Sequence, residues 1–493
     1  MSEHQHVSDA IYHPIPQAPV ASNPIPSASP DPDPDELPMS PIGPNLPHPK
    51  LDPKVHWIHF LLGCAVLLPW NALITATPYF QSRVDGTPLR GIFASYLSMT
   101  FTAANLGFLA HATVTAKKAS NTRRILSSLA ALALLSLLLA ASTYTHPAAS
   151  VFFAFVLVNG VFQAAAGSYL QTAVVAIAAL FGPAAMQAIM SGQAAVAVVI
   201  SGVQVLSALA SVRPGDANAS AEELAAEQAG PAERSAFIFF GLSTVFLVVC
   251  VAVQMYLVSL PVYKTVTGAR RRHGSEGASL LASDDEDADM RRELRRVDGK
   301  GQVTRVAKQN ATFNFAVAYV FVVTLAVFPP ITVSVTSTNP AVHPLVFTAV
   351  HFLMFNLGDF GGRTLCSFPR LHVWSARRLA LLALLRTLFV PLFLLCNVQW
   401  GAGAGAARSP VISSDAAFML LMLLFGGSSG YVSSMCMMAA PSLAHNPRLG
   451  GRAEDVDVAA TVASFFLVGG LAVGSVVSFA VRGAVCDCNP FAS

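Results

Sequence analysis

Beginning at His56, long apolar stretches recur along the chain, separated by short polar connections. About 20 apolar residues are needed to cross roughly 30 Å of hydrocarbon as a helix. Eleven stretches reach that length, at approximately 56–80, 92–115, 124–145, 149–181, 183–210, 235–260, 309–335, 345–368, 379–398, 416–440 and 458–481. Only Phe181-Gly182-Pro183 separates the fourth from the fifth, and the Gly-Pro step is what ends the helix there. The pattern predicts an all-α integral membrane protein.

Two regions break the pattern. Residues 1–54 hold thirteen of the 32 prolines before Lys50 and almost nothing to bury, so they read as a disordered or polyproline-like tail rather than a signal peptide. Residues 262–305 carry Arg270, Arg271, Arg272, Arg291, Arg292, Arg295 and Arg296 around an acidic run from Asp284 to Asp289. That mixed-charge loop divides the chain into a six-helix bundle over 55–261 and a five-helix bundle over 306–482, with a short tail at 483–493.

Composition agrees with a lipid-facing surface. The 493 residues are 54% hydrophobic and 12% charged, about half the charge of an ordinary soluble protein. A net charge of +3 is too small and scattered to point to nucleic acid. Cys64, Cys250, Cys366, Cys396 and Cys436 lie in apolar runs and read as packing residues; Cys486 and Cys488 are left as a tail pair.

The short loops decide the orientation, because Lys and Arg collect on the cytosolic side. Lys117, Lys118, Arg123 and Arg124 follow the second stretch, Arg370, Arg377 and Arg378 the eighth, and Arg448 and Arg452 the tenth. All share one side with the amino terminus, which is therefore expected in the cytosol. The Asn218-Ala219-Ser220 sequon falls on the opposite side.

Charges inside a bilayer are costly, about 2.5–3.5 kcal/mol each on insertion scales, and mark function by default. Three stand well within stretches: Asp359, Arg363 and Arg386. Asp359 and Arg363 are four residues apart, and backward helical steps from them reach Asn356 and Phe352. An aromatic ring, an amide, a carboxylate and a guanidinium thus line one face, a mixture suited to a polyhydroxylated solute. Mutual neutralisation of the two charges between helices is the structural alternative. Gln171, and Trp70 with Leu67 in Leu67-Leu68-Pro69-Trp70-Asn71, could complete such a site or serve as helix glue and interface anchor. His351 lies in the same stretch as Asp359 and could titrate near neutral pH or simply be structural.

Several segments resemble the equilibrative nucleoside transporters. They are Leu67 to Asn71 with Thr75-Ala76-Thr77, Met190-Ser191-Gly192-Gln193, Phe328-Pro329, Phe355 to Arg363, Leu388-Phe389-Val390-Pro391, and Gly430 to Met437, in the family's order over residues 56–482. The resemblance implies eleven helices in a six-plus-five arrangement similar to the major facilitator fold, with a cytosolic amino terminus. It implies that Asp359 and Arg363 recognise ribose hydroxyls, with Asn356 and Phe352 on the same face. Gln171 would meet the base, Trp70 and Leu67 would line the base end, and Phe328 would form the seventh-helix wall. Gly361 and Gly362, next to Phe360, are expected to loosen the eighth helix.

The function expected is facilitated diffusion of nucleosides such as adenosine and uridine, extending to nucleobases, by alternating access and without a cofactor or metal. Two alternatives stand beside it: a proton-coupled nucleoside transporter of an acidic organelle, and a lysosomal membrane protein of related fold without such transport. An enzyme would need paired carboxylates, a His-Glu-x-x-His motif or a nucleotide-binding glycine loop; Gly426-Gly427-Ser428-Ser429-Gly430 fits Gly-x-Ser-x-Gly only inside a membrane span. Glu276, Leu280 and Leu281 form an acidic dileucine pattern that adaptor complexes could read, which favours a vacuolar or lysosomal membrane.

Overall fold

The computed structural model describes residues 51–211, 229–268, 301–399 and 410–486. The Pro-rich tail up to Lys50, the Asn218 sequon, the Glu276, Leu280 and Leu281 pattern with its flanking charge runs, and the tail cysteine pair lie outside the described residues or side chains, while Pro53 and Lys54 already belong to the first helix.

The long helices are α1 Pro53–Thr75, α2 Leu89–Val114, α3 Asn121–Ser142, α4 Ala149–Phe181, α5 Pro183–Ser211, α6 Ala229–Ser259, α7 Ala311–Val327, α8 Pro344–Leu365, α9 Ala376–Leu385, α10 Asp415–Ala439 and α11 Val456–Cys486. Local chemistry sets several ends. Asp52 accepts from the Lys54 amide at the start of α1, and Ser414 accepts from the Ala417 amide at the start of α10. Gly182, at φ 93°, turns the chain between α4 and α5, and Pro183 opens α5 where its missing N–H is harmless.

Among the described residues, ten helical segments are long and apolar enough to cross a membrane, and they match ten of the eleven predicted stretches. The ninth differs. It is helical in pieces: α9 passes through a 3₁₀ turn, Arg386–Leu388, into a short helix Phe389–Leu394. Pro391 lacks the N–H that would bond to residue 387 and its ring crowds that carbonyl, so the turn just before it tightens. Prolines also shorten two others. α1 stops at Thr75 and a separate helix Thr77–Arg83 begins around Pro78, while α7 stops at Val327 before Pro329 and Pro330.

Helix pairing repeats between the halves. In the first, α1 packs on α5, α2 on α4 and α3 on α6; in the second, α7 packs on α11 and α8 on α10, and α9 packs on α7. Glycines permit the close crossings. A Cβ added to Gly192 would collide with the Phe60 carbonyl oxygen, and one on Gly362 would collide with that of Gly427. Gly362 therefore serves contact rather than looseness, and α8 runs unbroken through Gly361 and Gly362. The Gly470 and Gly474 pair likewise abuts α7 backbone.

The apolar core is arranged unevenly along the membrane normal. At the end where α1, α5, α7 and α11 begin, a single cluster runs through both halves, from Val55 and Ile177 to Val317, Met437 and Ala460. At the opposite end the core divides into two. One cluster, around Tyr79, Phe80, Phe93 and Phe152, belongs to the first half; the other, around Val327, Phe347, Phe393 and Phe418, belongs to the second. The undivided end is also the one with Lys117, Arg124, Arg378 and Arg448.

Candidate functional site

The α8 stripe forms as its spacing predicts. Arg363 Nε donates to Asp359 Oδ2 at 2.7 Å, and both residues are buried, Asp359 8% and Arg363 6% exposed. The pair lies within one helix, so it does not itself join two helices. What joins them is the rest of the guanidinium: Arg363 Nη1 donates to the Met190 carbonyl of α5 at 3.1 Å, and Gln187 Nε2 donates to the Arg363 carbonyl at 3.2 Å. Between hydrocarbon and protein, a charge so placed must face protein or water, and here it faces the seam between the halves.

One turn before Asp359, Asn356 Nδ2 donates to Ser201 Oγ of α5 at 2.5 Å. Above it the wall is aromatic. Phe328 stacks on Phe355 at 4.4 Å and meets Phe352 edge-on at 4.7 Å. His351 is buried against Phe328, Phe347, Phe352 and Phe418, with neither ring nitrogen hydrogen-bonded among the described residues.

Gln171 and Trp70 stand apart from this group. Gln171 Nε2 donates to Ser464 Oγ of α11 at 2.9 Å, another tie across the halves. Trp70 stacks on Phe101 of α2 at 4.2 Å, inside the first half. Leu67 is half-buried, and its carbonyl accepts from Asn71 Nδ2. The structure thus gathers Asp359, Arg363, Asn356, Phe352 and Phe328 on or against α8, and places Gln171, Trp70 and Leu67 on other helices, with their hydrogen bonds and ring contact directed elsewhere.

Arg386 is buried to 1% exposure, and its hydrogen bonds go to α7 and α10 rather than to Asp359. Its guanidinium donates to the Phe425 carbonyl, Ser428 Oγ and Thr324 Oγ1, and lies 4.6 Å from the Phe425 ring centroid. Arg386 thereby ties the ninth segment to α7 and α10, and the Phe425 ring beneath it in turn meets Phe355 of α8. Ser428 is occupied by this role.

Sequence reasoning missed Gln187, Ser201 and Ser464. Gln187 had a usable signal, since Gln187 and Ser191 are an i, i+4 polar pair in an apolar run and do bond at 2.8 Å. The two serines had none, because a hydroxyl in a membrane helix normally bonds its own backbone.

At the undivided end the halves are also tied outside the core. Lys117 Nζ donates to Gln302 Oε1 at 2.5 Å and to the Glu454 carbonyl at 3.3 Å. Gln302, Arg305 and Arg452 all donate to the fully buried Asp455 carboxylate. The cluster anchors the start of α11.

A bundle of membrane-length helices has a carboxylate and guanidinium buried where α8 meets α5, and comparison with known proteins identifies this architecture as that of a membrane transporter. The family model described as nucleoside transporter matches residues 153–483. Equilibrative nucleoside transporter 1 of Mus musculus is 27% identical over 475 residues, covering 88% of this chain and 98% of that protein. Equilibrative nucleoside transporter 2 of Homo sapiens is 30% identical over 472 residues, covering 85% and 95%. A crystal structure of FucP, a major facilitator superfamily transporter in the outward conformation, superposes with a TM-score of 0.51 at 16% identity, covering 88% of this chain and 94% of that one. The chain belongs to the nucleoside transporter family.

Proposed function

We propose that this protein carries nucleosides across a membrane by facilitated diffusion, the two halves exchanging access to a site at their seam. The observation that carries the reading is the Asp359 and Arg363 pair, buried on α8 and tied to α5 through Arg363. A carboxylate accepts from the two adjacent hydroxyls of a ribose and a guanidinium donates to them. Asn356, Phe352 and Phe328 would form the wall beside the sugar. Gln171, Trp70 and Leu67, on the first half, would meet the base.

The eleven crossings follow if the broken ninth segment counts as one. Residues 376–394 stay in helical turns for about 28 Å, near the thickness of the hydrocarbon. The halves are then 55–261 and 306–482, joined by the loop 262–305. With the basic end in the cytosol, the undivided core would close the cytosolic side, and access from the other side would run through the end where the core is divided. Glu276, Leu280 and Leu281 support delivery to a vacuolar or lysosomal membrane through adaptor complexes. Replacing both leucines by alanine should then move a fluorescent fusion to the cell surface.

Purified protein in sealed vesicles tests the transport reading. Labelled uridine or adenosine should enter saturably and stop at equal concentration on both sides. Uptake no faster than in empty vesicles would overturn the assignment. Accumulation above equilibrium, driven by an imposed proton gradient, would replace facilitated diffusion with proton coupling.

A further inference from the structure

A second polar site lies on the outside of the first half. Between α3 and α4, at the basic end, is an open groove of about 390 Å³ lined by Arg124, Ser127, Ser128, Ala131, Ala166 and Tyr169. Its polarity is graded. Arg124 and Tyr169 form its polar end, with the guanidinium 5.6 Å from the ring centroid, and Tyr169 OH bonds to His111 Nδ1 at 2.6 Å. Ser127 and Ser128 follow, one turn deeper along α3. Ala131 and Ala166 come next, and helical steps continue the same faces to Leu134 and Phe162, apolar side chains that remain 57% and 59% exposed.

Arg124 is held in place for such a role. Its Nη1 donates to the Ala112 carbonyl and its Nη2 to Thr115, where α2 ends. A guanidinium carries five N–H donors, so donors remain for a ligand. Among the described residues no carboxylate lines the groove, and Arg124 does, so the local charge is positive.

We propose that this groove binds an anionic phospholipid of the leaflet at the basic end. Its phosphate would sit on Arg124 with Ser127 and Tyr169, and an acyl chain would lie along Ala131, Leu134, Ala166 and Phe162. Planar guanidinium groups match phosphate oxygens in pairs, and basic pockets between membrane helices suit anionic headgroups. A free phosphate or nucleotide would satisfy the polar end and leave the apolar track without a partner. The lipid satisfies both, and its chemistry is independent of which solute the transporter carries.

Native mass spectrometry of the purified full-length protein, titrated separately with phosphatidylserine and phosphatidylcholine, tests this. The wild type should retain phosphatidylserine in preference. Arg124→Gln should weaken that retention about fivefold, the factor for roughly 1 kcal/mol per basic residue at a membrane surface. Ala131→Phe fills the groove, leaves every Arg124 bond intact, and should remove the preference with an unchanged melting temperature in detergent; it decides the matter if Arg124→Gln does not fold. Equal retention of the two lipids, an unaltered preference in Ala131→Phe, or displacement of the lipid by inorganic phosphate alone would each overturn the proposal.

Discussion

The two ends of the molecule are built from the same helices but packed differently. At the basic end one apolar cluster crosses from the first half to the second, and Lys117, Gln171, Gln187 and Arg363 add hydrogen bonds across the seam. At the other end each half keeps its own aromatic core. Several of its polar ties stay inside a half: Arg83 reaches Thr145 and Glu233, and Asp415 accepts from Ser337 and Thr338, while Asn356 to Ser201 crosses the seam nearer the middle. The apolar core is therefore continuous across the seam at one end and divided at the other.

The comparison can be broken most severely at the place where the closed end meets the site. Asp359→Asn keeps the shape and loses a charged acceptor, and Arg363→Lys loses the planar fork. Each should abolish most nucleoside uptake while the protein still reaches the membrane; normal uptake by both would remove the pair from the site. Gln171→Ala should follow, weakening nucleoside affinity by about 1–3 kcal/mol if a base is left without its partner. Ser464→Ala separates the two roles of Gln171. An equal loss in both variants would mean that the amide acts as glue between α4 and α11, whereas a base contact predicts a mild Ser464→Ala.

Smaller effects should distinguish the ends themselves. Lys117→Ala removes an exposed tie of about 0.2–1 kcal/mol, so it should raise the reactivity of a cysteine introduced in the basic-end seam by no more than about fivefold. Arg83→Ala removes similar chemistry at the divided end, but inside one half. It should leave that reactivity unchanged and lower the melting temperature only slightly. A larger change in access from Arg83→Ala than from Lys117→Ala would reverse the assignment of closed and open ends.

Much of this architecture is legible in the amino-acid sequence. Hydropathy locates ten membrane helices because lipid demands long apolar segments, and i, i+4 spacing locates the Asp359 and Arg363 pair because a helix puts such residues on one face. The fracture of α9 is invisible to hydropathy, which registers the side chain of Pro391 and not its missing N–H. Arg386 stands out as a charge within a span, but its direction depends on how α10 is rotated, and that is fixed by Gly426 and Gly430 meeting α8. Gln171 shows the remaining gap, since one sequence cannot say which hydroxyl on a helix nearly three hundred residues away will receive its amide.

Arg363 reaches the main-chain oxygen of Met190, and Gln187 reaches that of Arg363 itself. A scan of side-chain substitutions cannot delete either acceptor, since every residue at position 190 presents the same carbonyl. Met190→Ala would leave that bond in place while removing the Met190 sulfur beside Arg363 and opening a cavity in the core, and any change at Arg363 would mix the loss of a sugar partner with the loss of a tie between the halves. Backbone chemistry can pull the two apart. Installing the α-hydroxy analogue of Ser191 turns the 190–191 amide into an ester, whose carbonyl is a poorer acceptor, and leaves every side chain of the site in place.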